Sequence, residues 1–198
     1  MAQTTPKISV SVLIFLLITI LGSLKAKGMR MKETNMVFYM QDWETGENVT
    51  SVSVAGLNGI GSISTRFGTI MVFDNAITVD VERHSKPIGR GRGIFAASAL
   101  DDSALHFMYS IVFTDGEYKG STLQIHGLDI YLTEHKEFVA RRELSVVSGT
   151  GLFRYARGYV VFENAFLDLS NLSSVLKLTV TVHHHPEFVT PFDLSKIY

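Results

Sequence analysis

Two aspartates stand at the ends of apolar rows, where they could serve as proton donors. Alternate residues of an extended strand share one face, so "FYMQDWETG" and "STLQIHGLD" each place an aspartate beyond a series of apolar side chains. The rows are Phe38, Met40 and Asp42, then Leu123, Ile125, Gly127 and Asp129. In a closed interior, desolvation and mutual repulsion would raise the pKa of at least one carboxyl group. The alternative is that each aspartate begins a turn and caps backbone amides, and the local pattern alone favours that alternative.

The other candidate sites lack the pattern that their chemistry requires. His183, His184 and His185 would alternate between the two faces of a strand, and no carboxylate stands at a ligand spacing such as HExxH, so no metal site is predicted. The absence of cysteine excludes thiol catalysis and cysteine-ligated zinc or haem. Gly149-Thr150-Gly151 resembles a phosphate-binding turn, but "FRYARGYVVF" follows it with strand spacing rather than the helix that a phosphate loop needs.

Strands must position these residues, because the dominant hydrophobic period is two. In "ALHFMYSIVF", apolar side chains recur at alternate positions, and "VLKLTVTV" repeats the pattern near the end of the chain. Turn signals such as Asn58-Gly59 and Asp115-Gly116 separate the runs. About eight such runs and no convincing amphipathic helix predict an all-β barrel or sandwich. A closed barrel is favoured, because it leaves no exposed sheet edges.

The N-terminus indicates secretion. Lys7 precedes an uncharged apolar run, and small residues follow near Ala26, which predicts a signal peptide over residues 1–26 and a mature domain over 27–198. The alternative is a membrane anchor, for which the run is at the lower limit of length. Asn48-Val49-Thr50 and Asn171-Leu172-Ser173 are sequons, so Asn48 and Asn171 are predicted glycosylation sites. A net charge of −1 provides no basic surface for nucleic acid.

The segment from Arg142 to Tyr159, "RELSVVSGTGLFRYARGY", resembles the signature of plant dirigent proteins. Further dirigent-like segments follow in the family's order: "FYMQDWETG", "FGTIMVFDNAIT", "SKPIGRGRGIF" and "IVFTDGEYKGSTLQIHG". The resemblance covers about residues 37–182. It implies an eight-stranded antiparallel β-barrel of the kind also found in allene oxide cyclase. It also implies a homotrimer or homodimer that is secreted to the apoplast and has no membrane attachment after the signal peptide is cleaved.

The same resemblance implies the chemistry. Dirigent proteins bind phenoxy radicals made by a separate laccase or peroxidase and direct their stereoselective coupling to lignans. Relatives act on quinone methides and close rings in lignan or pterocarpan pathways. The family has no metal or redox cofactor, so none is expected here.

The resemblance places the family's cavity acids on Asp42 and Asp129 and its basic residue on Arg142. These three residues are expected to protonate or hydrogen-bond a quinone-methide oxygen, with Phe38, Phe95 and Asn164 in the substrate pocket. The chain departs from the family pattern at Gln41, where histidine is usual, and at Ser148 and Arg92. The strand after Gly93 also lacks the usual tyrosines. These departures leave the substrate unpredicted.

Three functions follow from this sequence. The leading interpretation is a dirigent protein that gives stereoselectivity to phenoxy-radical coupling without oxidising activity of its own. The second is an enzyme of the same fold that catalyses acid-assisted cyclisation or dehydration of a phenolic quinone-methide intermediate. The third is a non-catalytic barrel that binds phenolic or wall material in plant defence.

Overall fold

The alternating runs of the sequence form antiparallel strands in the computed structural model, which describes residues 9–12, 14–15, 31–57, 59 and 63–185. A single turn of 3₁₀ helix, Gly151–Phe153, is also present. The strands are β1 (Lys32–Trp43), β2 (Ser51–Ala55), β3 (Ile70–Thr78), β4 (Pro87–Ala97), β5 (Ala104–Phe113), β6 (Thr122–Ile130), β7 (Arg141–Thr150), β8 (Arg157–Asp168) and β9 (Ser173–His184).

Strand β1 closes the sheet into a barrel. The strands lie in the order β1-β9-β8-β7-β6-β5-β4-β3, and β1 also pairs with β3, opposite Ala76, Ile77 and Thr78. The short strand β2 covers the rest of β3, from Ile70 to Phe73. Eight strands therefore form a closed antiparallel barrel, with β2 as an extension beside it. This confirms the predicted fold class.

Aromatic side chains form a cluster within the hydrophobic interior of the barrel. Phe107 packs against Phe95 and Tyr109 with ring centroids 5.0 and 6.2 Å apart, and Phe73 and Phe162 complete the cluster. Each fully buried phenylalanine contributes roughly 1.5–3 kcal/mol, so this cluster is a major source of stability in a chain without disulfides.

The glycines of the dirigent signature lie where β7 leads into β8. Thr150 ends β7, and Gly151 begins the 3₁₀ turn with a φ of 61°, a conformation that favours glycine. Strand β8 begins at Arg157, after the short connection formed by residues 154–156. The segment therefore forms a strand connection, in agreement with the rejection of a phosphate loop.

Contacts divide the chain into two units, Met1–Arg30 and Met31–Tyr198. In the first, residues 10–12 and 14–15 are helical. Most of the predicted signal peptide, including its cleavage point after Ala26, lies outside the described residues. None of the described helical residues belongs to a helix with the length and apolar character that crossing a membrane requires.

Gly158 permits β8 to approach β9 closely. A Cβ atom there would lie 2.0 Å from the Thr181 carbonyl oxygen and 2.9 Å from the Val182 Cα, and backbone atoms cannot yield as a flexible side chain does. We expect Gly158→Ala to lower the free energy of unfolding by roughly 2–3 kcal/mol in urea denaturation.

Gly116→Ala provides the comparison for this prediction. A Cβ atom at Gly116 meets nothing within 4 Å, and the residue has a φ of 78°. Gly116→Ala should therefore lower the free energy of unfolding by only about 1 kcal/mol, because the substituted residue keeps a strained backbone conformation. Equal losses in the two variants would contradict the steric explanation.

Candidate active site

One end of the barrel contains a cavity of about 380 Å³. It lies where β1, β4, β6 and β8 end and where β5, β7 and β9 begin, because antiparallel strands bring alternating termini to the same end. Its wall is mainly apolar and includes Phe95, Leu105, Phe107, Leu132, Phe138, Leu167 and Leu176. The polar lining includes Asp42, Glu44, Asp129, Arg142 and Asn164. An apolar cavity with a few convergent polar groups is the usual form of a small-molecule site.

Asp129 and Arg142 form a buried ion pair between β6 and β7. The two strands pair only as far as His126 and Ser145, after a bulge, whereas β6 remains paired with β5 through Ile130. The Asp129 Oδ1 and Arg142 Nε atoms lie 3.1 Å apart beyond the last β6–β7 pair, and both residues are buried. Arg142 Nη2 also donates a hydrogen bond of 2.9 Å to the Oδ1 of Asn164 on β8.

Asp129 can exchange a proton near neutral pH despite its ion pair with Arg142. Burial raises its pKa to about 6, although the positive charge of Arg142 acts in the opposite direction. Asp129 Oδ1 and Arg142 Nε are close, but they lack hydrogen-bond geometry and have no other hydrogen-bond partner among the described residues. Asp129 can therefore act as an acid, and Arg142 stabilises the carboxylate that remains after proton transfer.

Asp42 is held at the end of β1 by side chains from β2 and β3. Its Oδ1 accepts hydrogen bonds from the Ser51 hydroxyl and, at 3.1 Å, from Asn75 Nδ2. Burial nevertheless raises the pKa of Asp42, because desolvation outweighs these two bonds. Because both donors bind the same oxygen, Oδ2 can carry a proton. These bonds involve strand side chains rather than the turn amides of the alternative interpretation.

The structure brings most of the predicted site residues together. Asp42, Asp129, Arg142, Phe95 and Asn164 all line the cavity. Phe38 does not line it and belongs to the hydrophobic core, where its ring meets the Phe113 ring edge-on with centroids 6.0 Å apart.

The two predicted glycosylation sites lie outside the cavity lining. Asn48 and Asn171 are both exposed. The Asn171 side-chain amide donates a 2.7 Å hydrogen bond to Asp168 Oδ2.

Sequence reasoning missed three further carboxylates of the lining, Glu44, Asp102 and Asp168, and of these Glu44 has a raised pKa. Glu44 lies close to Asp42 in the chain. Burial is the main cause that raises its pKa, to about 7. It follows Asp42 by two residues, so the same alternation that indicated Asp42 also applied to Glu44. The residue was overlooked because it lies beyond the end of β1, in a segment that reads as a turn.

The described residues contain no group of three or more histidine, aspartate or glutamate side chains arranged to hold a metal ion. In the histidine run, His184 is buried and His183 is exposed, as strand alternation requires.

Fold and cavity together define a class, the small closed β-barrels with a mainly apolar cavity beside buried carboxyl groups. The family model for dirigent-like proteins matches residues 33–183. The chain belongs to the dirigent family.

Relatives within this family include proteins with different names. The chain is 33% identical over 154 residues to pterocarpan synthase 1 of Glycyrrhiza echinata, covering 78% of this chain and 79% of the relative. It is 33% identical to dirigent protein 1 of Arabidopsis thaliana, covering 77% of this chain and 80% of the relative. A solved pterocarpan synthase dirigent protein superimposes with a TM-score of 0.73 at 31% identity, covering 83% of this chain and 91% of the other.

The raised pKa of Asp129 makes folding stability depend on pH. Between the ordinary value of 3.8 and about 6, the unfolded chain loses its proton before the folded protein does, so stability falls as pH rises through this range. Asp129→Asn should remove this decrease, on the order of 2–3 kcal/mol, from urea-denaturation curves measured between pH 3.5 and 7. The same substitution at the exposed Asp80 should leave the decrease in place. Parallel wild-type and Asp129→Asn stability profiles would contradict the assignment.

Proposed function

We propose that this protein catalyses acid-assisted ring closure of a phenolic compound through a quinone-methide intermediate. The observation that carries the proposal is that Asp42, Asp129 and Arg142 face one apolar cavity, with the pKa of both carboxyl groups raised by burial. Such groups hold protons at pH values where ordinary carboxylates have lost them, which is what a general acid requires.

The suitable substrate is a phenol with a benzylic hydroxyl group and a second phenolic hydroxyl within reach of the benzylic carbon. A cavity acid protonates the benzylic hydroxyl, the C–O bond breaks, and water leaves as the first phenol loses its proton. The resulting quinone methide is attacked at the benzylic carbon by the second phenol oxygen, whose proton returns to the carboxylate. The first phenol oxygen then takes back the proton that it had released to a base in the cavity. The products are a cyclic ether and water, without oxidation or reduction.

Two further features support this chemistry. The apolar wall excludes water that would otherwise add to the quinone methide, and the rings of Phe95 and Phe107 offer stacking surfaces for phenolic rings. Pterocarpan synthases are among the similar proteins at both the sequence and the structural level.

The second candidate is stereocontrol of phenoxy-radical coupling. It is favoured by the similarity to Arabidopsis dirigent proteins, which is as close in sequence as the similarity to the pterocarpan synthases. A separate laccase or peroxidase would supply the radicals, and the same acids would protonate the quinone methides that form on coupling. A non-catalytic phenolic-binding barrel in defence is the third candidate, for which the cavity would bind without turnover.

We also propose that the mature domain acts in the apoplast, glycosylated at Asn48 and Asn171, as a homotrimer. An outer apolar row supports self-association. The row consists of Val52, Val72, Ile94 and Met108, which lie directly opposite one another on β2, β3, β4 and β5 and are each 38–55% exposed. A contiguous apolar surface of this kind is typical of protein contacts.

Asp42→Asn should abolish product formation while the barrel remains folded. The amide preserves the shape of the side chain but cannot donate the proton, so the expected loss of kcat is about 100-fold or more. The assay uses a racemic 2′-hydroxyisoflavanol, the alcohol whose dehydration with ring closure gives a pterocarpan, and chiral chromatography resolves the products. Asp115→Asn, at a half-buried site on the β5–β6 connection outside the cavity lining, is the matched control and should retain wild-type activity. Unchanged conversion by Asp42→Asn would overturn the assignment.

Coniferyl alcohol with a one-electron oxidant separates the candidate functions. Conversion of the 2′-hydroxyisoflavanol without any oxidant identifies the cyclase. Enantiomeric excess in the coupled products identifies the dirigent auxiliary. Saturable phenolic binding with racemic coupling and no conversion identifies the binding barrel.

Ile94→Lys should disrupt the proposed trimer, because the outer apolar row would then carry a charge at its centre. Light scattering after size exclusion should show one third of the wild-type mass. Val147→Lys changes an exposed valine on β7, outside the row, and should leave the mass unchanged. A wild-type monomer, or a trimeric Ile94→Lys variant, would contradict the proposed interface.

A further inference from the structure

Glu44 is fixed at the cavity by contacts with two neighbouring connections. Its backbone N–H donates a 3.1 Å hydrogen bond to the carbonyl oxygen of Leu172, in the turn between β8 and β9. Its carboxylate accepts a hydrogen bond from Ser64, a buried residue in the connection between β2 and β3. Glu44 and Ser64 both line the cavity. This carboxyl group is therefore held in position at the site.

The charges around the cavity favour a proton on one of its acids. The charged side chains of the lining are Asp42 and Glu44 at the end of β1, Asp102 between β4 and β5, Asp129 on β6, Arg142 on β7 and Asp168 at the end of β8. Arg142 is thus the single cation in this lining of described residues, and it lies against Asp129.

Two of these carboxylates, Asp102 and Asp168, have partners of their own. Arg66 lies 3.6 Å from Asp102, and hydrogen bonds from Ser170 and Asn171 hold the pKa of Asp168 at about 2. Asp42 and Glu44 are left without a cation in the lining. Burial first, and the charge of an ionised Asp42 in addition, raise the pKa of Glu44 to about 7. The two carboxyl groups therefore hold one proton between them below this pH, and the proton can lie on Asp42 while Glu44 is ionised.

We propose that Glu44 is a catalytic residue of this cavity, the base that takes the phenolic proton of the substrate and later returns it. This inference rests on the proposed ring closure. As Asp42 protonates the leaving hydroxyl and water departs, the Glu44 carboxylate removes the proton of the first phenol, giving a neutral quinone methide. When the second phenol oxygen forms the new C–O bond, its proton passes to Asp42, and Glu44 returns its proton to the first phenol oxygen. Both carboxyl groups then regain their starting states.

Two carboxyl groups suit this pair of roles better than one. Loss of the benzylic hydroxyl needs an acid, and loss of the phenolic proton needs a base at the same moment. A single carboxyl group cannot act as both in one step. Asp42 lies near the end of β1 and Glu44 just beyond it, and both line the cavity, so they can contact different oxygens of one substrate.

The test compares Glu44→Gln with Glu47→Gln, the same substitution at an exposed residue of the adjoining turn. Conversion of the 2′-hydroxyisoflavanol is followed between pH 5 and 9. Wild type should lose kcat as pH rises above about 7, because the Asp42–Glu44 pair then loses the single proton that the reaction needs. Glu44→Gln should lower kcat by about 100-fold and remove this limb of the pH profile, whereas Glu47→Gln should retain both the wild-type kcat and the limb. Glu44→Asp should restore part of kcat together with a limb. Wild-type kcat and an intact limb in Glu44→Gln would overturn the proposal.

A second measurement separates failure of this role from failure of the proposed ring closure. In protein with ¹³C-labelled glutamate side chains, the carboxyl resonance that disappears in Glu44→Gln should titrate near pH 7. Guaiacol, used as a simple phenolic probe, should shift the titration midpoint of this Glu44 resonance. If wild type converts no substrate, the ring closure fails, and a guaiacol-dependent midpoint still supports proton exchange between Glu44 and phenols. A midpoint that guaiacol does not change overturns the role of Glu44 in either case.

Discussion

Closure of the sheet by β1 is the constraint on which the rest of the structure depends. Tyr39, Met40 and Gln41 pair with the end of β3 while the whole of β1 pairs with β9. Closure surrounds the interior with protein, so the carboxyl groups at its end lose most of their hydration. In an open sheet the same groups would face water, with ordinary pKa values and no use as acids near neutral pH.

The cavity requires that some stability be given up for function. Burying Asp42, Glu44 and Asp129 opposes folding, and a single arginine lies among them. The hydrophobic core of the barrel offsets this cost, since its side chains are buried and mainly apolar. The separation of β6 from β7 has a related role, because unbroken pairing there would leave less room for the Asp129–Arg142 pair. The irregular end of the barrel carries the chemistry, and the regular part holds it in place.

Alternation in the sequence predicted an all-β barrel or sandwich and put Asp42 and Asp129 on the same faces as apolar residues, because a period of two fixes the face of every strand residue. The local pattern alone favoured turn caps for both aspartates, and the dirigent resemblance assigned them to the cavity. The dirigent signature added Arg142, whose partner across the β6–β7 gap no local pattern reveals. Two features were beyond this reasoning. Phe38 shares a face with Asp42 but lies deeper, and alternation gives the face of a residue rather than its depth along the barrel. Glu44 lies beyond the strand, where its position depends on contacts with Ser64 and Leu172 from distant parts of the chain.

The central claim is that closure keeps protons on the cavity aspartates at pH values where exposed aspartates have lost them. Titration of protein with ¹³C-labelled aspartate side chains tests it most directly, with resonances assigned through Asp42→Asn and Asp129→Asn. Two resonances should have midpoints well above 3.8, and the one assigned to Asp129 should lie at about 6. Midpoints at or below 3.8 for both would contradict the claim and remove the basis for acid catalysis in this cavity.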